Sequence, residues 1–207
     1  MLIAVNISIA QNTLTFEVNG LTCWSCVNAA TSVLKLIEGV DSAYVNFDTK
    51  EGYVFASRKV ERQEIKSAIA SKNFEARFEG EESKKPLTEE EIKGLDIETI
   101  LGGEKLDFEK YLTKRKITIF DFYAKWCGPC RLFSPKLERI LSENPSQLSL
   151  KKVDVVDWKS PLAKQLTKNY KLPSLPFTLI YNDQGKLIGR IEGNDIESVN
   201  KILYNNI

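Results

Sequence analysis

The sequence predicts two domains in tandem: an α+β sandwich of βαββαβ order, then an α/β domain built around a buried strand. Three observations point there. On both sides of the midpoint, hydrophobic spacing switches between a period of two and one of three to four. A charged stretch poor in apolar residues, Gly80 to Glu91, separates the halves. Each half carries one Cys-x-x-Cys pair, Cys23/Cys26 and Cys127/Cys130, where a strand gives way to a helix.

The elements of the first half follow in order. Thr13 to Val18 alternates in apolar character, the pattern of a half-buried strand. From Cys26 to Ile37, Val27, Ala30, Val33, Leu34 and Ile37 fall on one helix face, and Gly39 lies just beyond. Ala43–Phe47 and Tyr53–Ala56 read as strands joined by a hairpin over Asp48 to Gly52. Glu61 to Ser71 repeats helical spacing with Ile65, Ala68 and Ile69, and Phe74 to Phe78 is a last short strand. This is the order of a ferredoxin-like sandwich.

Residues 80–94 read as an interdomain linker that contains Pro86. A short helix is expected over Thr88 to Lys93, because Thr88 followed by Glu91 has capping-box form. The second domain occupies 95–207. Lys116 to Tyr123 is a nearly continuous apolar run, as in a buried central strand. A helix follows over Cys130 to Asn144, with Pro135 predicting a kink. Then come a strand (Leu148–Val156), a helix (Ser160–Tyr170), two strands (Phe177–Tyr181 and Leu187–Ile191) and a closing helix (Asn194–Tyr204).

Composition narrows the chemistry. The 207 residues are 43% apolar and 28% charged with a net charge of +1, so nothing in the charge calls for nucleic acid. No apolar run approaches the roughly 20 residues that span a bilayer. There is no histidine, which removes Cys–His and Ser–His nucleophiles and all His-ligated metal sites. The four cysteines form two vicinal pairs, a usage that reads as redox or metal chemistry.

In Trp126-Cys127-Gly128-Pro129-Cys130 the first cysteine is placed to start a helix. Such a position favours the thiolate, the nucleophile of thiol–disulfide exchange. The second cysteine is placed to attack the resulting mixed disulfide. FDFYAKWCGPC, Phe120 to Cys130, resembles the active-site segment of thioredoxins. The resemblance implies a thioredoxin fold and a protein-disulfide reductase that needs no cofactor. It also implies disulfide-containing protein substrates and a reductase partner. Cys127 would attack and Cys130 resolve. Asp121 would be the buried acid that moves protons, with Lys152 near it. Trp126, Leu175 and a cis Pro176 would meet the substrate chain. Phe177 departs from the usual threonine, and Pro173 is equally available for a cis bond.

In Thr22-Cys23-Trp24-Ser25-Cys26 no proline follows the first cysteine and no acid precedes it at a comparable distance. Three readings are open: metal ligands, a redox-active dithiol coupled to the second domain, or a structural disulfide. Two thiolates suit a soft ion such as Cu(I), Hg(II) or Zn(II). Residues 11–79 resemble the heavy-metal-associated domain of copper- and mercury-handling proteins. That implies Cys23 and Cys26 as ligands and metal-transfer proteins as partners. Leu21 stands where methionine is usual. Phe74 matches an aromatic facing the metal, and Asn73 replaces a glycine. Trp24 between the ligands would shield an ion, present a docking surface, or merely be exposed.

Residues 1–10, MLIAVNISIA, resemble the tail of a secretory signal with a small-x-small cleavage site. That reading favours an extracytoplasmic, periplasmic location. The alternative, a first strand, leaves the protein cytoplasmic. Trp158 is expected in the core or on the surface without a binding role, and Lys35, Lys66 and Lys72 on solvated helix faces. Gly102-Gly103 lacks the context of a phosphate loop.

Overall fold

The structure is a computed structural model that describes residues 12–81 and 86–207. The MLIAVNISIA segment lies outside the described residues. The chain divides into two compact units, Met1–Glu82 and Ser83–Ile207.

The first unit is a four-stranded antiparallel sheet of order β2-β3-β1-β4 with two helices. Its elements are β1 (Asn12–Asn19), α1 (Trp24–Leu34), β2 (Val40–Val45), β3 (Glu51–Ala56), α2 (Arg62–Ala70) and β4 (Glu75–Arg77). Alternation in β1 turns Phe16 and Val18 into the core, where they meet Leu34, Val54, Ile65 and Ile69. Gly52 lies opposite Phe16 in the β1–β3 ladder, and a Cβ there would sit 2.6 Å from the phenyl ring. The strand expected to reach Phe47 ends at Val45, because the Asn46 side chain accepts the N–H groups of Asp48 and Thr49 and starts the turn. Helix α1 ends at Leu34, short of the expected Ile37. Lys66 corrects an expectation: its ammonium bonds Glu81 Oε1 at 2.7 Å rather than standing free on a solvated face.

The second unit is a five-stranded sheet of order β5-β7-β6-β8-β9. It comprises α3 (Glu89–Ile92), β5 (Ile97–Ile100), a 3-10 turn (Phe108–Tyr111), β6 (Ile117–Tyr123) and α4 (Gly128–Glu143). These are followed by β7 (Leu148–Asp154), α5 (Pro161–Tyr170), β8 (Phe177–Tyr181), β9 (Leu187–Glu192) and α6 (Ile196–Tyr204). Strands β5, β7 and β6 run parallel, and β8 and β9 antiparallel. Helix α3 has the expected Thr88–Glu91 capping box and packs on α4, so the end of the expected linker belongs to this unit.

Both faces of the sheet are covered, which is why β6 is apolar nearly throughout. Phe120, Phe122 and Phe177 pack with Phe108 and Leu166 on one face. Ile119, Leu150 and Ile180 pack with Phe133, Leu137 and Val199 on the other. The period of two puts Asp121 on the Ile119 face, under α4. Lys152 follows Leu150 by two and Thr178 precedes Ile180 by two, so both share that face. Asp121 pairs in register with each of them.

Candidate redox centre and metal-binding loop

Strand β6 delivers the chain to the N-terminus of α4, where Cys127 is the cap residue. Its Sγ accepts the Cys130 N–H at 3.2 Å, so one orphan donor of the first turn points at sulfur. Pro129 sits in the first turn, where a missing N–H leaves no bond unmade. Cys127 and Cys130 are disulfide-bonded, with Cα atoms 5.4 Å apart, and both are buried in this oxidised state. A thiolate formed at Cys127 on reduction faces the positive end of α4.

Trp126 is exposed beside Cys127. Its Nε1 donates to the Val156 carbonyl at 2.7 Å, and its ring lies 5.9 Å from that of Trp158. Trp158 is thus exposed, as expected, but it extends an aromatic surface next to the disulfide. Leu175 belongs to the same apolar cluster as Cys127 and Cys130. The cis bond falls at Leu175–Pro176, not at Pro173. The Pro176 carbonyl accepts the Gly193 N–H at 2.9 Å and is therefore committed within the fold.

Asp121 is fully buried. Ser134 Oγ donates to its Oδ2 at 2.5 Å, while Oδ1 has no hydrogen-bond partner among the described residues. Burial pushes its pKa from the ordinary 3.8 up to about 6, against the opposing pull of the Ser134 hydrogen bond and the Lys152 charge, with the Glu138 charge adding to the rise. Lys152 lies near Asp121, as expected. Its ammonium bonds Glu138 Oε1 at 2.6 Å. Ser134 and Glu138 are site residues that the sequence reading missed. Their signal was present: two polar residues four and eight positions after Cys130, on the helix face that should be apolar. A cleft of about 550 Å³ opens along this face, lined by Tyr123, Cys130, Ser134, Glu138, Lys152 and Thr99.

In the first unit Cys23 caps α1, and its Sγ accepts the Cys26 N–H at 3.2 Å, repeating the geometry of the second pair. Ser25 Oγ lies 3.0 Å from Cys23 Sγ, and Thr22 Oγ1 lies 3.8 Å from Cys26 Sγ. This pair is also disulfide-bonded, with Cα atoms 5.2 Å apart, but it is only half-buried. Among the described residues no group of three or more Cys, Asp or Glu side chains could hold a metal, so the donor set on offer is the two sulfurs. Two soft donors on an accessible loop fit a soft ion of low coordination number.

Leu21 is buried under the loop, and Asn73 takes φ +62°, the left-handed turn expected of a glycine substitute. Phe74 lies in the short connection just ahead of β4, and its ring is buried in the core of the unit, against which Cys26 also packs. Trp24 is 66% exposed, its ring 5.1 Å from that of Phe47, over which Lys50 Nζ sits at 3.7 Å.

Comparison with known proteins agrees with this division. The thioredoxin family model matches residues 100–204, and the heavy-metal-associated domain model matches residues 15–75. A thioredoxin of Mycoplasmoides gallisepticum is 31% identical over 101 residues, 47% of this chain and 94% of its own. A bifunctional thioredoxin reductase/thioredoxin of Mycobacterium leprae is 35% identical over 86 residues, 42% of this chain, and this chain spans only 18% of its length. Among solved structures, a CopZ metallochaperone is 30% identical, with 31% of this chain and 98% of that one covered and a TM-score of 0.30.

Proposed function

Since the chain belongs to the thioredoxin family and carries a heavy-metal-associated domain ahead of that fold, we propose that it is a protein-disulfide reductase with an N-terminal soft-metal site. The observation that carries the reading is Cys127 at the cap of α4, its sulfur held by the Cys130 N–H, on the helix whose Ser134 bonds the buried Asp121. The reduced protein enters with Cys127 as thiolate. That sulfur attacks a substrate disulfide, one substrate sulfur leaves and is protonated by solvent, and a mixed disulfide remains. Cys130 gives its proton to Asp121 and attacks Cys127 Sγ. The second substrate sulfur then leaves and is protonated, and Cys127–Cys130 is again a disulfide. A dithiol reductant, supplied by a reductase partner, restores the starting state. Trp126, Trp158 and the main chain at Leu175 form the surface a substrate chain would meet, because the Pro176 carbonyl is already bonded.

Cys23 and Cys26 would hold the metal, for which Cu(I) is the favoured ion because the donor set is two thiolates. Insulin-disulfide turnover by the protein with dithiothreitol tests the redox reading. Turnover is expected for the native chain and lost in Cys127→Ser. Equal rates for the two proteins would contradict it.

A second reading rests on the Cys23–Cys26 disulfide itself. Metal binding requires both sulfurs reduced. The chain would then be a metal-delivery protein whose second unit keeps the first pair reduced. Cu(I) uptake after mild oxidation discriminates: recovery that depends on Cys127 favours this second reading.

A further inference from the structure

Helix α4 carries an unusual file through an otherwise apolar interface. Cys130, Ser134 and Glu138 are spaced by four, so they stand one above another on a single face. All three are buried. The sheet answers this file with Asp121 from β6, Lys152 from β7 and Thr178 from β8 on the facing side. Buried polar groups persist where they are partnered, and the partnering here is selective. Ser134 bonds Asp121, and Glu138 bonds Lys152. The acid is therefore held through Oδ2 by a neutral donor, its Oδ1 stays open, and the nearest ammonium is occupied elsewhere.

We propose that Ser134 and Glu138 are positioning residues for removal of the Cys130 proton, Ser134 by fixing the Asp121 carboxylate with one oxygen open and Glu138 by holding Lys152 away from it. The proposal rests on the disulfide-reductase reading above. Asp121 takes the proton from Cys130 as that thiol becomes the attacking thiolate. It then returns the proton to water in the cleft that Cys130, Ser134, Glu138 and Lys152 line. The titratable and charged groups that bear on Asp121 are Cys130 and Glu138 from α4 and Lys152 from β7, with Tyr123 two residues on along its own strand. Ser134 and Thr178 add hydroxyls.

The two residues act on Asp121 with opposite sign, and that is the basis of the test. The Ser134 hydroxyl stabilises the carboxylate, so its removal favours the neutral acid. Glu138 adds a like charge and occupies Lys152, so its neutralisation favours the carboxylate.

Carboxyl 13C NMR of the reduced full chain, assigned against Asp121→Asn, reads the titration of this acid with or without turnover. Ser134→Ala should move the Asp121 midpoint up by about one unit, Glu138→Gln should move it down, and Ser134→Thr should restore it. The acid limb of single-turnover substrate release should move in the same directions. A native protein that reduces insulin, yet whose midpoint and limb stay put or shift in one direction in both variants, overturns the proposal. A native protein with no turnover overturns the functional reading beneath it, whatever the titration shows. If a variant unfolds, its near-UV circular dichroism reports that, and the opposite-sign variant still decides.

Discussion

The Trp126 indole is tied to the main-chain carbonyl of Val156 at 2.7 Å, and Val156 holds that carbonyl in place with φ at +67°. A β-branched residue is poorly suited to the left-handed region, at a cost of about 1–3 kcal/mol. The residue is 42% exposed, so burial offsets only part of this. Val156→Asn should keep the carbonyl and its bond while easing the backbone. A stabilisation of about 1 kcal/mol is expected in urea unfolding, with insulin turnover preserved. Destabilisation would mean that packing of the valine side chain outweighs the backbone strain.

Asp121 makes stability depend on pH. Its folded pKa lies above the ordinary 3.8, at about 6. A raised acid favours the fold most below pH 3.8, and this is lost as pH rises to about 6. At 1.36 kcal/mol per unit, the ionised carboxylate destabilises the fold by about 3 kcal/mol at neutral pH. Asp121→Asn should therefore be more stable than the native chain at pH 8 by up to that amount, with the gap closing near pH 4. Urea midpoints followed by Trp126 and Trp158 fluorescence in a Trp24→Phe background would measure this. The same variant should resolve mixed disulfides more slowly.

The metal loop predicts a separable loss. Cys23→Ser and Cys26→Ser should each weaken Cu(I) binding by at least a hundredfold in competition with a chelator and leave insulin turnover unchanged. Because ligation displaces thiol protons, native affinity should fall as pH is lowered. Undiminished binding in Cys23→Ser would move the site elsewhere.

In the first unit, Gly52→Ala puts a Cβ against the Phe16 ring. Overpacking of this kind is expected to destabilise the unit by about 1–3 kcal/mol. Trp24 fluorescence during urea unfolding would report it. A neutral result would show that the ring swings aside freely.

Much of the fold was legible because burial imposes a period. Phe16 and Val18 alternate in β1, and Val27, Ala30, Val33 and Leu34 recur at helical spacing in α1. The pairs at Cys23 and Cys127 were readable because a helix start is a local signal. Strand β5 was not singled out, although Leu95-Asp96-Ile97-Glu98-Thr99 alternates. It is an edge strand anchored by acids that answer lysines elsewhere in sequence: Glu98 within it meets Lys151 at 3.1 Å, and Asp96 just ahead of it meets Lys116 at 3.2 Å. The roles of Ser134 and Glu138 were hidden for a related reason. A serine or glutamate on a helix looks solvated until the sheet brings Asp121 and Lys152 beneath it. Likewise, Lys66 cannot be told from a free lysine until Glu81 folds back beside it.

The most direct test of the account is capture of the exchange intermediate. Reduced Cys130→Ser protein, mixed with oxidised insulin and quenched with acid, should show by non-reducing mass spectrometry a one-to-one covalent adduct that dithiothreitol releases. Peptide mapping should place the bond at Cys127, and the adduct should be absent from the Cys127→Ser/Cys130→Ser protein. No adduct, or one that maps to Cys23, would contradict the assignment of Cys127 as the attacking sulfur.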